Sequence, residues 1–398
     1  MTKFAVVAVT YNRPHSLKRL LNSLQSAYYD NDKVDLIISV DKSEIETEII
    51  ELSKNYNWEY GDKKIRTFDK RQGLKNHILQ CGDLVENYDA VIIFEDDLIA
   101  SKNYYIYAKQ ALEYYNNDDH IAGISLYLHK RNFINGLPFS PLETGSDVFF
   151  MQCAQSWGQC WSRSMWSSFK EWHQSNNVVF YQDDRLPKKI LKWPISSWLK
   201  YYMKYIVDTN RFFVYPYTSL STNMTDAGQH NTSSTDAFQV SLLHDRKDYK
   251  FIDLKEGIKY DIYFEFVGIE KYLSDKISED NLCVDLYSRK ENNNKCRYIL
   301  TRKRLNYNIV KSYGLHMRPH ENNIIYKISG NDIFLYDTKK DDSQIIIDGK
   351  FDLIKESKYY TVSTWKHSIL YGVANLISII KDKIKDKIKN KIKNKIKK

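Results

Sequence analysis

Glycine is scarce in this chain, with 14 copies in 398 residues, and no stretch matches GxGxxG or GxxxxGK[ST]. A dinucleotide oxidoreductase and a P-loop NTPase are therefore disfavoured, because both cradle phosphates on Gly-rich backbone. Cysteine is also sparse. Cys81, Cys153, Cys160, Cys283 and Cys296 are odd in number, scattered, and form no CxxC pair. That pattern favours free thiols in a reducing compartment over a disulfide framework or a zinc knuckle. No apolar run approaches the ~18 residues needed to span a bilayer. No charged leader with an apolar core opens the chain, so the expectation is a cytoplasmic protein without a signal peptide. Excess charge is missing from most of the sequence as well. The formal net charge is +9, but residues 381–398 hold ten Lys and two Asp, leaving +1 for the rest. A general nucleic-acid surface is not expected.

The most informative stretch is Ala90–Val91–Ile92–Ile93–Phe94–Glu95–Asp96–Asp97. Five apolar residues between polar segments read as a buried strand. Three carboxylates at its end repel one another, and a bound cation relieves that repulsion. Carboxylates suit Mg²⁺ or Mn²⁺, which in turn hold phosphates. The plainer reading is an acidic turn.

Upstream, apolar strands at Phe4–Val9 and Val34–Val40 and a short third strand at Lys64–Phe68 alternate with helix-like segments. Pro14 suits a first helical turn, and Leu17, Leu20, Leu21 and Leu24 follow at helical spacing. The order β-α-β-α-β-α-β predicts an α/β fold with a parallel, doubly wound sheet. Thr10, Asn12, Asp41 and Glu95–Asp97 each follow the last apolar residue of a strand. In a parallel sheet such ends share one edge, where ligands bind. A cap or turn explains one such residue easily, and the set less well.

Val7–Pro14, with its Thr10–Tyr11–Asn12–Arg13 core, resembles the opening of GT-A fold glycosyltransferases, especially bacterial family 2-like ones. Ser39–Val40–Asp41 resembles their second-strand end. Glu95–Asp96–Asp97 resembles their DXD motif, closest to that of the Golgi enzyme adding N-acetylglucosamine to N-glycan mannose. The likeness covers roughly residues 3–245. It implies a nucleotide-sugar donor, with UDP-sugar the expectation, lined by Thr10, Asn12, Arg13, Asp41, Arg71, Glu95 and Asp96. It also implies Mn²⁺ or Mg²⁺ on Asp97 and His230, the latter closing the late loop Asn223–His230. Ser156–Trp161 resembles a SWGWATW loop but departs at Gln159 and Cys160.

Six of the eight Trp lie between Trp157 and Trp198. Large aromatics are usually core, and Trp157 alone is singled out as an acceptor-stacking residue. The stretch Trp193–Trp198 resembles the one that carries the base in the Golgi enzyme, where acids follow the second Trp. Here Leu199 and Lys200 stand there instead. Asp183 and Asp184, or Asp208, are left as carboxylates that could take the acceptor proton.

After about residue 245 the texture turns to short β-like runs, at Tyr260–Phe266, Ile324–Ile328, Ile333–Tyr336 and Gln344–Ile347, which suit either a sandwich or strands with a helix around Lys271–Ile277. The expected organisation is a GT-A domain over 1–245, a β-rich domain over 246–365 and a basic tail over 366–398. Within 369–398, Ile, Leu and Val recur every three or four residues among alternating Lys, which suits an amphipathic helix on an anionic membrane surface. The bland reading is a disordered basic tail. The functional expectation is an inverting, metal-dependent glycosyltransferase acting on a surface glycan carried by lipid. The alternatives are a glycan-binding scaffold on a degenerate transferase fold, or a sugar nucleotidyltransferase. The last usually opens with a Gly-rich loop, and Thr10–Pro14 has no Gly.

Overall fold

The computed structural model describes residues 3–175, 178–180, 185–224, 226, 236–290 and 296–341, together with 359, 360, 369, 372, 373 and 376. Met1–Ile347 forms one compact unit and Asp348–Lys398 a second. The first unit begins with β1 (Phe4–Thr10), α1 (Pro14–Gln25), β2 (Val34–Val40), α2 (Glu46–Asn55), β3 (Lys63–Arg66) and α3 (Gly73–Gly82). It continues with β4 (Ala90–Glu95), β5 (Leu98–Ala100), α4 (Tyr104–Tyr115), β6 (Ile121–Ser125), β7 (Val148–Met151) and β8 (Gln159–Ser162). Then come α5 (Arg163–Ser175), α6 (Lys188–Leu191), α7 (Trp198–Asp208), β9 (Phe212–Pro216) and β10 (Ser221–Asn223).

β1 and β4 are buried along nearly their whole length: each has a strand on both sides, β1 packs on α1 and α3, and Phe94 of β4 packs on Tyr104 of α4. Central parallel strands are therefore continuous in apolar residues rather than alternating. β3, β2, β1 and β4 are parallel neighbours in that order, as the alternating pattern predicts. Beyond β4 the expectation of a parallel sheet gives way to a mixed one. β8 inserts antiparallel between β4 and β6, and β7 runs antiparallel to β9. The two segments are short, four residues each, and neither is reached through a β-α crossover of the kind that enforces parallel pairing. Trp161 on β8, Trp166 on α5 and Trp198 on α7 pack around Tyr202, with Trp161 stacked on it at 5.5 Å. These tryptophans are core.

The chain beyond residue 245 does not start a separate body. β11 (Lys259–Tyr260) and β12 (Phe266–Val267) extend the main sheet to ten strands, through β11 pairing with β7. The run read as one strand over Tyr260–Phe266 is thus two short strands joined by a turn, with Phe264 at φ +67°. A four-stranded sheet follows, β13 (Leu282–Asp285), β14 (Tyr298–Thr301), β16 (Ile333–Asp341) and β15 (Tyr307–Tyr313) in spatial order. It lies within the same compact unit as the main sheet. The run at Ile324–Ile328 is not a strand. Its start lies in α8 (His320–Ile325), where Asn323 ties its own helix to the preceding loop by accepting from the His316 and Met317 amides at 2.7 and 2.8 Å. The helix expected around Lys271–Ile277 is a single 3₁₀ turn at Ile269–Tyr272. Gln344–Ile347 lies outside the described residues. In the second unit, the described residues 359, 360, 369, 372, 373 and 376 are helical, and Ile369, Val373 and Leu376 are exposed. The rest of the basic tail lies outside the described residues, and no helix among those described is long and apolar enough to cross a membrane.

Candidate active site

Pairing registers set the edge. β1 aligns Val9 with Glu95 of β4 and Thr10 with Val40 of β2. Adjacent strands lie about 4.8 Å apart. The three strand ends therefore deliver Thr10, Asp41 and Glu95–Asp97 to one crevice. A cleft of about 150 Å³ lies there, lined by Thr10, Asn12, Arg13, Asp41, Arg71 and Glu95–Asp97, and by Tyr11, His77 and Asp226. Every residue that the sequence assigned to the nucleotide sugar lines it.

The electrostatics of the acids follow from their burial. Asp96 is 2% exposed. Its Oδ2 accepts from Thr10 Oγ1 at 2.7 Å and its Oδ1 from Arg13 Nη2. Desolvation pushes its carboxyl up to about 6 against the opposing pull of Arg13 and Thr10. Glu95 is raised further, to about 8, by desolvation and by the charges of Asp97 and Asp96. Asp97 Oδ2 accepts from Arg13 Nη1 at 3.1 Å, whereas Asp97 Oδ1 is buried without a hydrogen-bond partner. Arg13 reaches both acids because Pro14 starts α1 directly after β1, leaving Arg13 at the junction.

Other assigned residues have structural partners as well. Both oxygens of Asp41 are engaged by backbone. Oδ1 accepts from the Lys42 and Gln72 amides at 2.9 and 2.7 Å, and Oδ2 from the Gly73 amide at 3.0 Å. Asp41 thus caps the entry to α3, where Gly73 takes φ +72°, a conformation natural to glycine. The Arg71 guanidinium lies over the Tyr11 ring at 4.7 Å. Trp157 is not among the residues lining the cleft. Its ring packs on Tyr127 at 4.8 Å and Phe238 at 4.9 Å. The residue after it approaches β4 closely: a Cβ on Gly158, at φ +91°, would stand 3.2 Å from Phe94 Cε1.

Asp183, Asp184 and His230 lie outside the described residues. Lys200, where the resemblance expects an acid, is 4% exposed. It donates through Nζ to the Leu191 and Trp193 carbonyls at 2.8 and 2.7 Å, stapling α7 to the segment before it. Asp208 is paired with Arg185 at 2.6 Å and Lys204 at 3.2 Å.

Asp226 and His77 are among the cleft residues that escaped the sequence reading. Asp226 belongs to the late loop in which only His230 was singled out. It accepts from Ser16 Oγ at 2.6 Å and pairs with Arg19, fastening its segment to α1. His77 carried no signal beyond its place one turn into α3. It meets Ser39 Oγ at 2.7 Å through Nε2, and burial lowers it to about 4.

Among the described residues, no set of three or more His, Cys, Asp or Glu side chains is arranged to hold a metal. Two carboxylates do converge: one guanidinium touches Asp96 Oδ1 and Asp97 Oδ2 together. With the orphaned Asp97 Oδ1 beside them, this donor set fits a hard divalent cation of the kind bound by one or two carboxylates, with phosphate and water completing the shell.

No protein-family model matches the chain, and no curated protein matches it. Solved structures similar to it include S. aureus TarS (residues 1–349), at 14% identity and TM-score 0.36 over 55% of this chain and 59% of that one. The mannosyltransferase PcManGT from Pyrobaculum calidifontis, in complex with GDP-Man and Mn²⁺, matches at 13% identity and TM-score 0.32 over 43% of this chain and 46% of that one. GalNAc-T7 with UDP, GalNAc and Mn²⁺ matches at 12% identity and TM-score 0.36 over 55% and 43%. The chain spans less than two thirds of each of these proteins.

Proposed function

We propose that this protein is a GT-A type glycosyltransferase that moves a sugar from a nucleoside-diphosphate donor to a glycan acceptor. One observation carries the reading: three parallel strand ends place Thr10, Asp41 and the Glu95–Asp97 acids around a single cleft. The opening motif Val7–Pro14 adds its resemblance to that family.

In this reading Asp97 and Asp96 hold Mn²⁺ or Mg²⁺, which when bound acts as a Lewis acid on the diphosphate leaving group. Asn12, Arg71 and Tyr11 line the nucleotide side. Thr10 holds Asp96 in place through its hydroxyl. Asp41 positions the Gln72–Gly73 corner and presents it to the donor. His230 is a further metal ligand in this reading. Asp183 or Asp184 takes the acceptor proton as transfer inverts the anomeric carbon, and Trp157 lies on the acceptor side. The donor is a UDP-sugar and the acceptor a lipid-linked surface glycan, with residues 369–398 holding the enzyme on the cytoplasmic, anionic face of a membrane. A glycan-binding scaffold is the second reading, favoured by Lys200 standing as a structural staple where the resemblance expects an acid.

The test is a donor-hydrolysis and transfer screen across UDP-, GDP- and CMP-sugars, with and without Mn²⁺, on the full chain and on Asp97→Ala. Loss of even an outer partner of a metal site costs about 10–100-fold, so a direct ligand should cost more. Turnover of a donor that vanishes in folded Asp97→Ala supports transfer chemistry. Near-normal turnover in that variant, or none with any donor in the wild type, refutes it.

A further inference from the structure

Arg13 occupies the place where a cation would be held. Its Nη2 pairs with Asp96 Oδ1 and its Nη1 with Asp97 Oδ2 at 3.1 Å, so one guanidinium neutralises both acids at once. The side chains are 23%, 3% and 17% exposed for Arg13, Asp96 and Asp97. Ion pairs this sheltered are screened little by salt. A divalent cation drawn to the same two oxygens would stand against the guanidinium charge, so the two cations compete for the acid pair. Arg13 is also the more exposed partner, so it can leave without moving the strand end.

We propose that Arg13 is an internal counter-cation: it blocks the acid pair in the donor-free enzyme and yields it to the metal only when a nucleoside diphosphate arrives. The inference rests on the reading that this cleft takes a metal-bridged diphosphate. Displaced alone, Arg13 loses two charge-assisted hydrogen bonds and gains only water. Displaced beside a diphosphate, it exchanges carboxylate oxygens for phosphate oxygens, which a guanidinium fork matches as well. Metal and nucleotide therefore bind as a coupled pair. By linkage, whatever nucleotide does for metal affinity, metal does for nucleotide affinity. A donor-free enzyme then resists loading by metal alone.

The experiment titrates Mn²⁺ into the full chain, following free Mn²⁺ by electron paramagnetic resonance, with and without UDP or GDP. Wild type is compared with Arg13→Gln, Arg13→Lys and the double variant Arg13→Gln/Asp97→Asn, each checked for folding by thermal melting. Without nucleotide, Arg13→Gln should bind Mn²⁺ about tenfold more tightly than wild type, toward the low end of what close charge pairs contribute. The enhancement by nucleotide should shrink by a similar factor. Arg13→Lys should fall between, since a point charge cannot hold both carboxylates as a fork does. Asp97→Asn added to Arg13→Gln should abolish the gain. If nucleotide and Mn²⁺ bind normally and Arg13→Gln shows no gain, the inference fails while the proposed function stands. A gain that survives Asp97→Asn also overturns it. If the wild type binds no Mn²⁺ even with nucleotide, both readings fall.

Discussion

Replacing Asp41 by alanine should destabilise the protein before it affects any substrate. The carboxylate is 3% exposed and accepts three backbone N–H bonds, from Lys42, Gln72 and Gly73, at 2.7–3.0 Å. A buried amide left without an acceptor costs about 1–3 kcal/mol. Gln72 and Gly73 are half-buried beside the cleft, so water can replace part of what they lose, and the low end applies to each. The sum is about 3 kcal/mol, including the lost anion at the start of α3. With a urea dependence of about 3 kcal/mol per molar for a unit of this size, the midpoint should fall by about 1 M. Trp fluorescence during urea unfolding measures this directly. Asp41→Asn keeps one acceptor oxygen and should lose roughly half as much. UDP binding by calorimetry, under conditions where each variant is folded, then separates cap from contact. If Asp41→Ala unfolds within about 0.5 kcal/mol of wild type, the size of an ordinary surface substitution, the capping role is refuted. A loss confined to nucleotide affinity would make Asp41 a donor contact instead.

Gly158→Ala should cost about 1–3 kcal/mol, because it combines φ +91° with a Cβ 2.9 Å from Ser221 Oγ and 3.2 Å from Phe94 Cε1. Phe94 precedes Glu95, so turnover should fall together with the melting temperature; an unchanged melt would contradict the close approach. Glu321 is 1% exposed with Oε2 unpartnered, and desolvation lifts its carboxyl to about 7 from 4.5. Its proton is bound more tightly folded than unfolded, so its contribution to stability declines as pH rises from about 4.5 to 7 and stays low above. Glu321→Gln should therefore stabilise by about 2–3 kcal/mol at pH 8 and change little at pH 4.5; equal effects at both would refute the assignment. Deleting residues 369–398 should release the protein from anionic vesicles at low salt and leave turnover of a soluble acceptor nearly intact, since each basic residue near the surface contributes about 1 kcal/mol. Vesicle binding that is equal in the truncated chain would remove the tail from this role.

The sequence by itself determined the part of the fold that depends on neighbours along the chain. Apolar runs specify β1, β2 and β4, and leucine spacing with Pro14 specifies α1, because burial on both faces and helical period are local patterns. Parallel pairing then dictates that Thr10, Asp41 and Glu95 share an edge, so the cleft itself was legible. What each residue does there was decided by tertiary structure. Arg13 meets Asp96 and Asp97 across 83 and 84 residues, and Asp41 meets Gln72 and Gly73 across 31 and 32. No local pattern encodes partners at that range. The antiparallel insertion of β8 and the joining of β11 and β12 to the main sheet have the same origin. Four-residue and two-residue strands carry almost no periodicity, so the strands they meet in the folded chain decide their pairing. Lys200 shows the limit most clearly. Its neighbours in sequence do not announce its burial, yet the Leu191 and Trp193 carbonyls supply the acceptors that let its ammonium be buried.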